Sequence, residues 1–138
     1  MAGIYESRMS LRFFGDELDP EEITARLGKQ PTAGVRKGRT WITELGGQKT
    51  ARTGSWRLQA GDCRPGDLDR QINDLLEGLS EDLAVWADLS TRFKADIFCG
   101  IFMQEENEGI SLSAKSMREL SSRGLLFDID VYCPERSE

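Results

Sequence analysis

The segment from Leu18 to Gly28 constrains the fold most, because nearly every residue in it suits one position of a short helix. Asp19 is a favoured N-cap residue, and Pro20 is favoured at the first helical position. Glu22 stands where a capping-box carboxylate reaches back to the cap, and Gly28 supplies the left-handed residue that ends many helices. The segment therefore predicts a short helix that packs on the rest of the protein.

Alternation of apolar and polar residues predicts several strands. The predicted strands cover residues 9–13, 40–45, 55–59, 94–103 and 125–133. The strands around Thr40 to Leu45 and Ser55 to Gln59 are rich in aromatic residues and flank Gly46-Gly47, so we expect them to form a hairpin. In the last strand, Leu125, Phe127, Ile129, Val131 and Cys133 share one side, which we expect to face the core.

Three further helices follow from apolar spacing and capping residues. Leu68, Ile72, Leu75, Leu76 and Leu79 recur at helical intervals and predict a helix with one apolar face. Ser80 is the predicted cap of the next helix, and Ser113 is the predicted cap of a helix that ends at Gly124.

Strands that need helices on one face predict an α+β fold, a two-layer sandwich of a mainly antiparallel sheet covered by helices. The best matching topology is a ferredoxin-like β-α-β-β-α-β order with an added helix and strand.

Length and composition are typical of one globular domain that spans residues 1–138, with 38% hydrophobic residues to form a core. The first residues lack an apolar signal core, and no apolar run approaches the roughly 18 residues of a membrane span. We therefore expect a cytoplasmic protein. Cys63, Cys99 and Cys133 match neither a disulfide framework nor a zinc site, and the last two are predicted to be small buried hydrophobes.

A series of short motifs runs along the chain. They are Asp-Pro-Glu-Glu-Ile-Thr from Asp19, Leu27-Gly28, Pro31-Thr32, Gly54-Ser55-Trp56 and Asp-Ile-Asp-Val-Tyr from Asp128. In this order the motifs resemble a bacterial family of small domains, domain of unknown function 4279, over residues 9 to 132. The matching motifs are caps, turns and core strands, so the resemblance implies a single bacterial domain and carries no catalytic residue.

The chain has no histidine, which excludes Ser-His and Cys-His nucleophile pairs and histidine metal ligands. Neither a Walker-type phosphate loop nor a Gly-x-Gly-x-x-Gly loop is present. Asp96, Asp128 and Asp130 could project from one side of the sheet and hold a divalent cation or act as an acid–base pair. The alternative is a solvated sheet face, which we favour. The sequence thus favours a protein without enzymatic activity and without a cofactor or metal.

Charge is distributed unevenly along the chain. The segment from Lys29 to Arg64 holds 8 basic and 2 acidic residues, a net charge of +6, whereas the whole chain carries -6, so the remainder carries -12. Such asymmetry lets each part attract a different partner. The candidate binding residues of the basic segment are Arg36, Lys37, Arg39, Trp41, Arg52, Trp56 and Arg57. Trp41 and Trp56 could instead be core residues of the hairpin.

Two functional hypotheses follow from this charge distribution. The first is contact with a protein partner through the acidic remainder, and its most specific form is an immunity-type inhibitor of a basic bacterial toxin. The second is a small anion- or nucleic-acid-binding domain in which arginines grip phosphates and a tryptophan stacks on a base.

Overall fold

The computed structural model describes residues 2–134 of the chain, and its fold is α+β, as the sequence predicts. The strands are β1 (Ala2–Gly3), β2 (Glu6–Gly15), β3 (Ala33–Val35), β4 (Thr40–Ile42), β5 (Gln48–Thr50), β6 (Gly54–Gln59), β7 (Lys94–Phe102), β8 (Glu108–Gly109) and β9 (Leu126–Tyr132). The helices are α1 (Pro20–Leu27), α2 (Leu68–Leu76), α3 (Leu83–Arg92) and α4 (Ala114–Ser122).

The main sheet has the strand order β3-β6-β2-β7-β9. The central strand β2 pairs antiparallel with both β6 and β7, whereas β9 runs parallel to β7 at one edge. A small hairpin, β4–β5, separates β3 from β6 in the chain, and two helices lie between β6 and β7. Because of these additions, the exact ferredoxin-like order stays a prediction.

The helices cover one face of the main sheet and form the core with it. Every second residue of β2 is fully or almost fully buried on this face: Met9, Leu11 and Phe13. Phe13 meets Trp56 of β6 edge to face, with 5.8 Å between ring centroids, and lies 6.2 Å from Trp86 of α3. Since side chains alternate along a strand, Ser10, Arg12 and Phe14 belong to the opposite face, which we call the open face.

The predicted hairpin between residues 40–45 and 55–59 is wrong. Strand β4 pairs with β5, so that Trp41 lies opposite Lys49. Strand β6 instead pairs with β2 and β3 in the main sheet. The turn that closes β4–β5 places Gly46 at φ +83°, a left-handed conformation that favours glycine. The two glycines therefore close a shorter hairpin than the sequence predicts.

The predicted helix after Leu18 is confirmed, but its capping box is not. The Asp19 carboxylate caps α1 by accepting from the backbone N–H of Glu21 at 3.0 Å, and Gly28 has φ +88° at the end of the helix. Glu22 does not reach back to the cap. Its two carboxylate oxygens accept from Arg92 of α3 at 2.8 and 2.9 Å, so they join two helices instead.

The predicted cap of α3 is also wrong, whereas the cap of α4 is confirmed. Asp82 caps α3 by accepting from the N–H of Ala84 at 3.0 Å. Ser80 lies before the cap: its hydroxyl accepts from the N–H of Asp82 at 3.2 Å, and its carbonyl accepts from the indole N–H of Trp86 at 2.7 Å. Ser113 caps α4 through the N–H of Ser116 at 3.1 Å.

The outer part of β9 is more exposed than the sequence predicts. Ile129 and Val131, expected in the core, are 43% and 56% exposed. The reason is that β9 lies at the edge of the main sheet. Its alternation of apolar and polar residues is the same as that of a strand inside a sheet, so the sequence does not reveal the edge position. Cys133 is exposed, so its predicted burial is wrong, whereas Cys99 of β7 is buried as predicted. Burial raises the pKa of the Cys99 thiol to about 11.

Candidate anion-binding groove

Two arginines face each other across adjacent strands on the open face. Arg12 of β2 lies directly opposite Arg57 of β6 in the antiparallel register. Side chains in such positions have Cβ atoms about 4.5–5.5 Å apart, and like charges there repel. Two guanidinium groups are therefore placed side by side on this part of the open face.

Arg12 is fixed in place by a buried carboxylate. Its Nε and Nη2 atoms donate to the two oxygens of Asp96 on β7, both at 2.8 Å, and Asp96 is fully buried. These bonds raise the pKa of the Arg12 guanidinium. The same guanidinium lies 4.4 Å from the ring centroid of Phe98 and 5.2 Å from that of Phe14. The Arg12 side chain is thus held by two hydrogen bonds and two aromatic rings, and the negative charge of Asp96 offsets its positive charge.

Arg57 has no such carboxylate in the part of the chain that the structure describes. Within residues 2–134, neither Arg57 nor Arg39 forms an ion pair, although both belong to the basic segment. Both side chains are exposed. Their guanidinium groups are therefore available to an anion from solution.

A cavity of about 530 Å³ brings these groups together. Its chemically important lining residues are Arg12, Phe14, Arg39, Trp41, Ser55 and Arg57, and we call this cavity the basic groove. Its floor is the open face of β2, β3 and β6, and the β4–β5 hairpin supplies Trp41. Trp41 is 44% exposed, as a residue that stacks on a flat ligand must be.

A second cavity of about 750 Å³ adjoins the basic groove. The two cavities share Trp41 and Phe14, and the second adds Lys49 and Arg52. Positive charge thus continues past Trp41 along the hairpin. Of the residues predicted for binding, Arg39, Arg52, Arg57 and Trp41 therefore lie along one continuous surface.

Two of the predicted basic residues lie elsewhere and already have carboxylate partners. Arg36 is 2.9 Å from a carboxylate oxygen of Asp19, and Lys37 is 3.0 Å from one of Asp16. The hydrogen bond from Lys37 is the main reason that the pKa of Asp16 is lowered. Both basic residues line another cavity beside α1, which shares Arg39 with the basic groove but contains neither Arg12 nor Arg57. They add little to the basic groove.

Trp56, also predicted for binding, is a core residue. It is fully buried on the helix-covered face, and its indole N–H donates to the hydroxyl of Thr24 in α1 at 3.0 Å. Its neighbours in β6, Ser55 and Arg57, belong to the open face because side chains alternate along the strand. No ligand in the basic groove can therefore stack on Trp56.

Of the three aspartates that could form a catalytic or metal site, Asp96 and Asp128 lie next to a cation of the protein itself, Arg12. Asp96 binds Arg12 with both oxygens, and an oxygen of Asp128 lies 3.8 Å from Arg12 Nη2. Asp130 lies beside Gly100 on β7. In the part of the chain that the structure describes, no three His, Cys, Asp or Glu side chains are close enough to share a metal ion.

Sequence reasoning missed Arg12 and Phe14 as groove residues. The alternation of Met9, Leu11 and Phe13 does contain the signal, because it assigns Arg12 and Phe14 to the face away from the core.

Comparisons with known proteins identify a family. A model of the domain of unknown function DUF4279 matches residues 5–134. Searches of curated proteins and of solved structures gave no significant match. None of the helices within residues 2–134 has the length and apolar character needed to cross a membrane.

Proposed function

This chain belongs to the DUF4279 family, and we propose that it is a binding protein whose basic groove takes an anionic ligand with a flat ring. The observation that carries the proposal is the Arg12–Arg57 pair. Of these two arginines, Arg12 has a carboxylate partner within residues 2–134 and Arg57 opposite it has none.

The chemistry of the groove favours a ligand with two parts. The exposed guanidinium groups of Arg39 and Arg57 suit phosphate or carboxylate oxygens, which accept paired hydrogen bonds from arginine. The half-exposed indole of Trp41 and the ring of Phe14 suit a flat ring, because base–aromatic stacking contributes about 1–3 kcal/mol. Nucleotides and single-stranded nucleic acids have both parts.

A matched pair of variants tests the groove. Arg39→Gln with Arg57→Gln removes the two exposed charges, while Arg36→Gln with Lys37→Gln removes the same charge from residues that already have carboxylate partners. Binding of a labelled thymidine oligonucleotide, a nucleoside monophosphate and inorganic phosphate is measured for both variants and the parent. We expect the groove variant to lose at least about tenfold in affinity and the control to change little.

The pattern across these ligands identifies the class. Binding of the nucleoside monophosphate indicates a small-molecule site, whereas binding of the oligonucleotide alone, with affinity that falls steeply as salt rises, indicates a nucleic-acid surface. If no ligand binds the parent, or if both variants lose the same affinity, the groove proposal is contradicted.

A second candidate function, contact with a protein partner, is favoured by a different surface. Strand β9 exposes Leu126, Ile129 and Val131 at an edge of the main sheet, next to Asp128 and Asp130. Large apolar side chains beside carboxylates suit a basic protein. An immunity-type inhibitor of a toxin would be one such protein, and only size and charge support that specific form.

A further inference from the structure

Among the strands of residues 2–134, β9 is paired along one edge only. All seven of its residues, Leu126–Tyr132, are in register with β7. On its outer side, β9 pairs with no strand within residues 2–134. In a parallel pair, every second residue of the edge strand directs its N–H and C=O groups away from its neighbour. These groups form a template on which another strand can pair.

The two sides of β9 have different chemistry. Phe127, Ile129 and Val131 share the helix-covered side, and the last two are about half exposed. Asp128 and Asp130 share the open side. Asp130 forms no ion pair among the described residues, and its neighbour on β7 is Gly100, which has no side chain. The edge therefore has one apolar side and one side on which Asp128 and Asp130 lie between the exposed Leu126 and Tyr132.

A second copy of this chain fits the edge poorly. An antiparallel twofold centred on Ile129 pairs the whole strand, but it sets Asp128 opposite Asp130. A twofold centred on Asp128 sets Asp128 opposite its own copy, and a twofold centred on Asp130 does the same for Asp130. Like charges directly opposite each other destabilise strand pairing. The same carboxylates attract a strand with basic residues at those positions.

We propose that β9 is a docking edge for an extended segment of a partner protein that alternates basic and apolar residues. The segment adds a strand to the main sheet, with its basic side chains over Asp128 and Asp130 and its apolar side chains beside Ile129 and Val131. Backbone hydrogen bonds hold such a segment, and the alternate side chains determine its identity. This proposal does not depend on the basic groove, which lies toward the other edge of the sheet.

The first arm of the test uses synthetic peptides as long as β9. One peptide alternates lysine and valine, and its control replaces each lysine with glutamate. We expect the lysine peptide to bind and the glutamate peptide to fail. In the complex, amide hydrogen exchange of β9 residues that are not bonded to β7 should slow, and their amide resonances should shift.

Backbone pairing is tested by methylating peptide nitrogens. Methyl groups on alternate nitrogens along one edge of the peptide should abolish binding, while methyl groups along the other edge should leave it unchanged, because a strand docks by one edge only. Equal sensitivity at both edges, or none, contradicts strand addition.

Charge recognition is tested in the full chain. Asp130→Lys should lower the affinity for the lysine peptide at least about fivefold. The double variant Asp128→Lys with Asp130→Lys should bind the glutamate peptide more tightly than the lysine peptide. Because Asp128 lies near Arg12, the single variant keeps the test valid if the double variant does not fold. Asp74→Lys with Glu77→Lys changes an exposed residue of α2 and its exposed C-cap residue, makes the same change in net charge as the double variant and should leave peptide binding unchanged.

Several results would overturn the proposal. These are no binding of the lysine peptide, equal binding of both peptides, or an affinity that Asp130→Lys does not change. A parent protein that sediments as a dimer with slow exchange along β9 would show that a second copy occupies the edge.

Discussion

Arg12 of β2 lies directly opposite Arg57 of β6. Of these two arginines, only Arg12 has a carboxylate partner within residues 2–134. Asp96 and Asp128 offset the charge of Arg12, whereas no carboxylate among the described residues pairs with Arg57. Because like charges directly opposite each other repel, the charge of Arg57 opposes strand pairing at this position.

Replacement of Arg57 by Gln should increase the free energy of unfolding by about 0.2–1 kcal/mol at low salt, because it removes like-charge repulsion across the strands. The gain should shrink in high salt, which screens exposed charges. Denaturant titration measures both effects. Arg36→Gln is the control, since Arg36 already pairs with Asp19, and it should give no gain. A less stable Arg57→Gln variant would show that Arg57 stabilises the fold.

Replacement of Arg12 should instead decrease the free energy of unfolding, because it leaves a buried carboxylate without its partner. Arg12→Met leaves Asp96, which is fully buried, without its partner, and should cost about 3–5 kcal/mol of unfolding free energy. Arg12→Met with Asp96→Leu replaces both charges by apolar groups and should cost less than the single change. Denaturant titration of both variants decides this. If the double variant is the less stable one, the Arg12–Asp96 pair contributes net stability beyond compensating its own burial.

Leu75 of α2 is 1% exposed and anchors the helix that crosses β2. Leu75→Ala should cost about 2–5 kcal/mol, because it leaves a cavity in a closely packed core. Leu83, at the start of α3, is 47% exposed and provides the control. Leu83→Ala should stay within about 0.5 kcal/mol of the parent. Equal losses in the two variants would mean that α2 does not pack as described.

Local signals predicted much of the fold. Asp19 and Gly28 mark the ends of α1 through interactions within a few residues, so no knowledge of the rest of the chain is needed. The apolar face of α2 likewise follows from its spacing. The pairing of β6 could not be predicted this way, because β3 is a short strand without alternation and the aromatic β4 looked like a better partner.

The basic groove shows the same limit. Arg39, Trp41 and Arg57 were predicted from charge and aromatic content within one segment. Arg12 and Phe14 come from a different strand, and the partner of Arg12 lies on β7, far along the chain. Whether Trp41 or Trp56 was the exposed tryptophan depended on which face of which sheet each one occupies, and a single sequence does not specify this.

Asp69 of α2 links that helix to the start of α4. Its Oδ1 accepts from the Ser116 hydroxyl at 2.6 Å and from the Ser113 N–H at 3.0 Å. These bonds, the Ser116 bond first, lower the pKa of Asp69. A lowered pKa means that ionised Asp69 stabilises the folded protein above its unfolded value of about 3.9, and that this stability is lost as the pH falls through the folded value.

Asp69→Asn should therefore lower the free energy of unfolding by about 1 kcal/mol at pH 7. The difference from the parent should shrink when both proteins are measured at pH values well below 4, where Asp69 is also uncharged. Urea titrations at the two pH values provide the measurement, and Asp74→Asn, on the exposed side of α2, is the control. A difference that is independent of pH would show that packing, rather than the charge, is responsible.

The most direct test of the basic groove follows the three indole N–H resonances while a nucleoside monophosphate or a thymidine oligonucleotide is added. Trp56 and Trp86 are fully buried and donate to Thr24 and Ser80, whereas Trp41 is exposed in the groove. We predict that one indole resonance shifts strongly, that this resonance is absent in Trp41→Phe, and that Arg39→Gln with Arg57→Gln abolishes the shift. Shifts confined to Trp56 and Trp86, or no shift with either ligand, would contradict an anion-binding function for the groove.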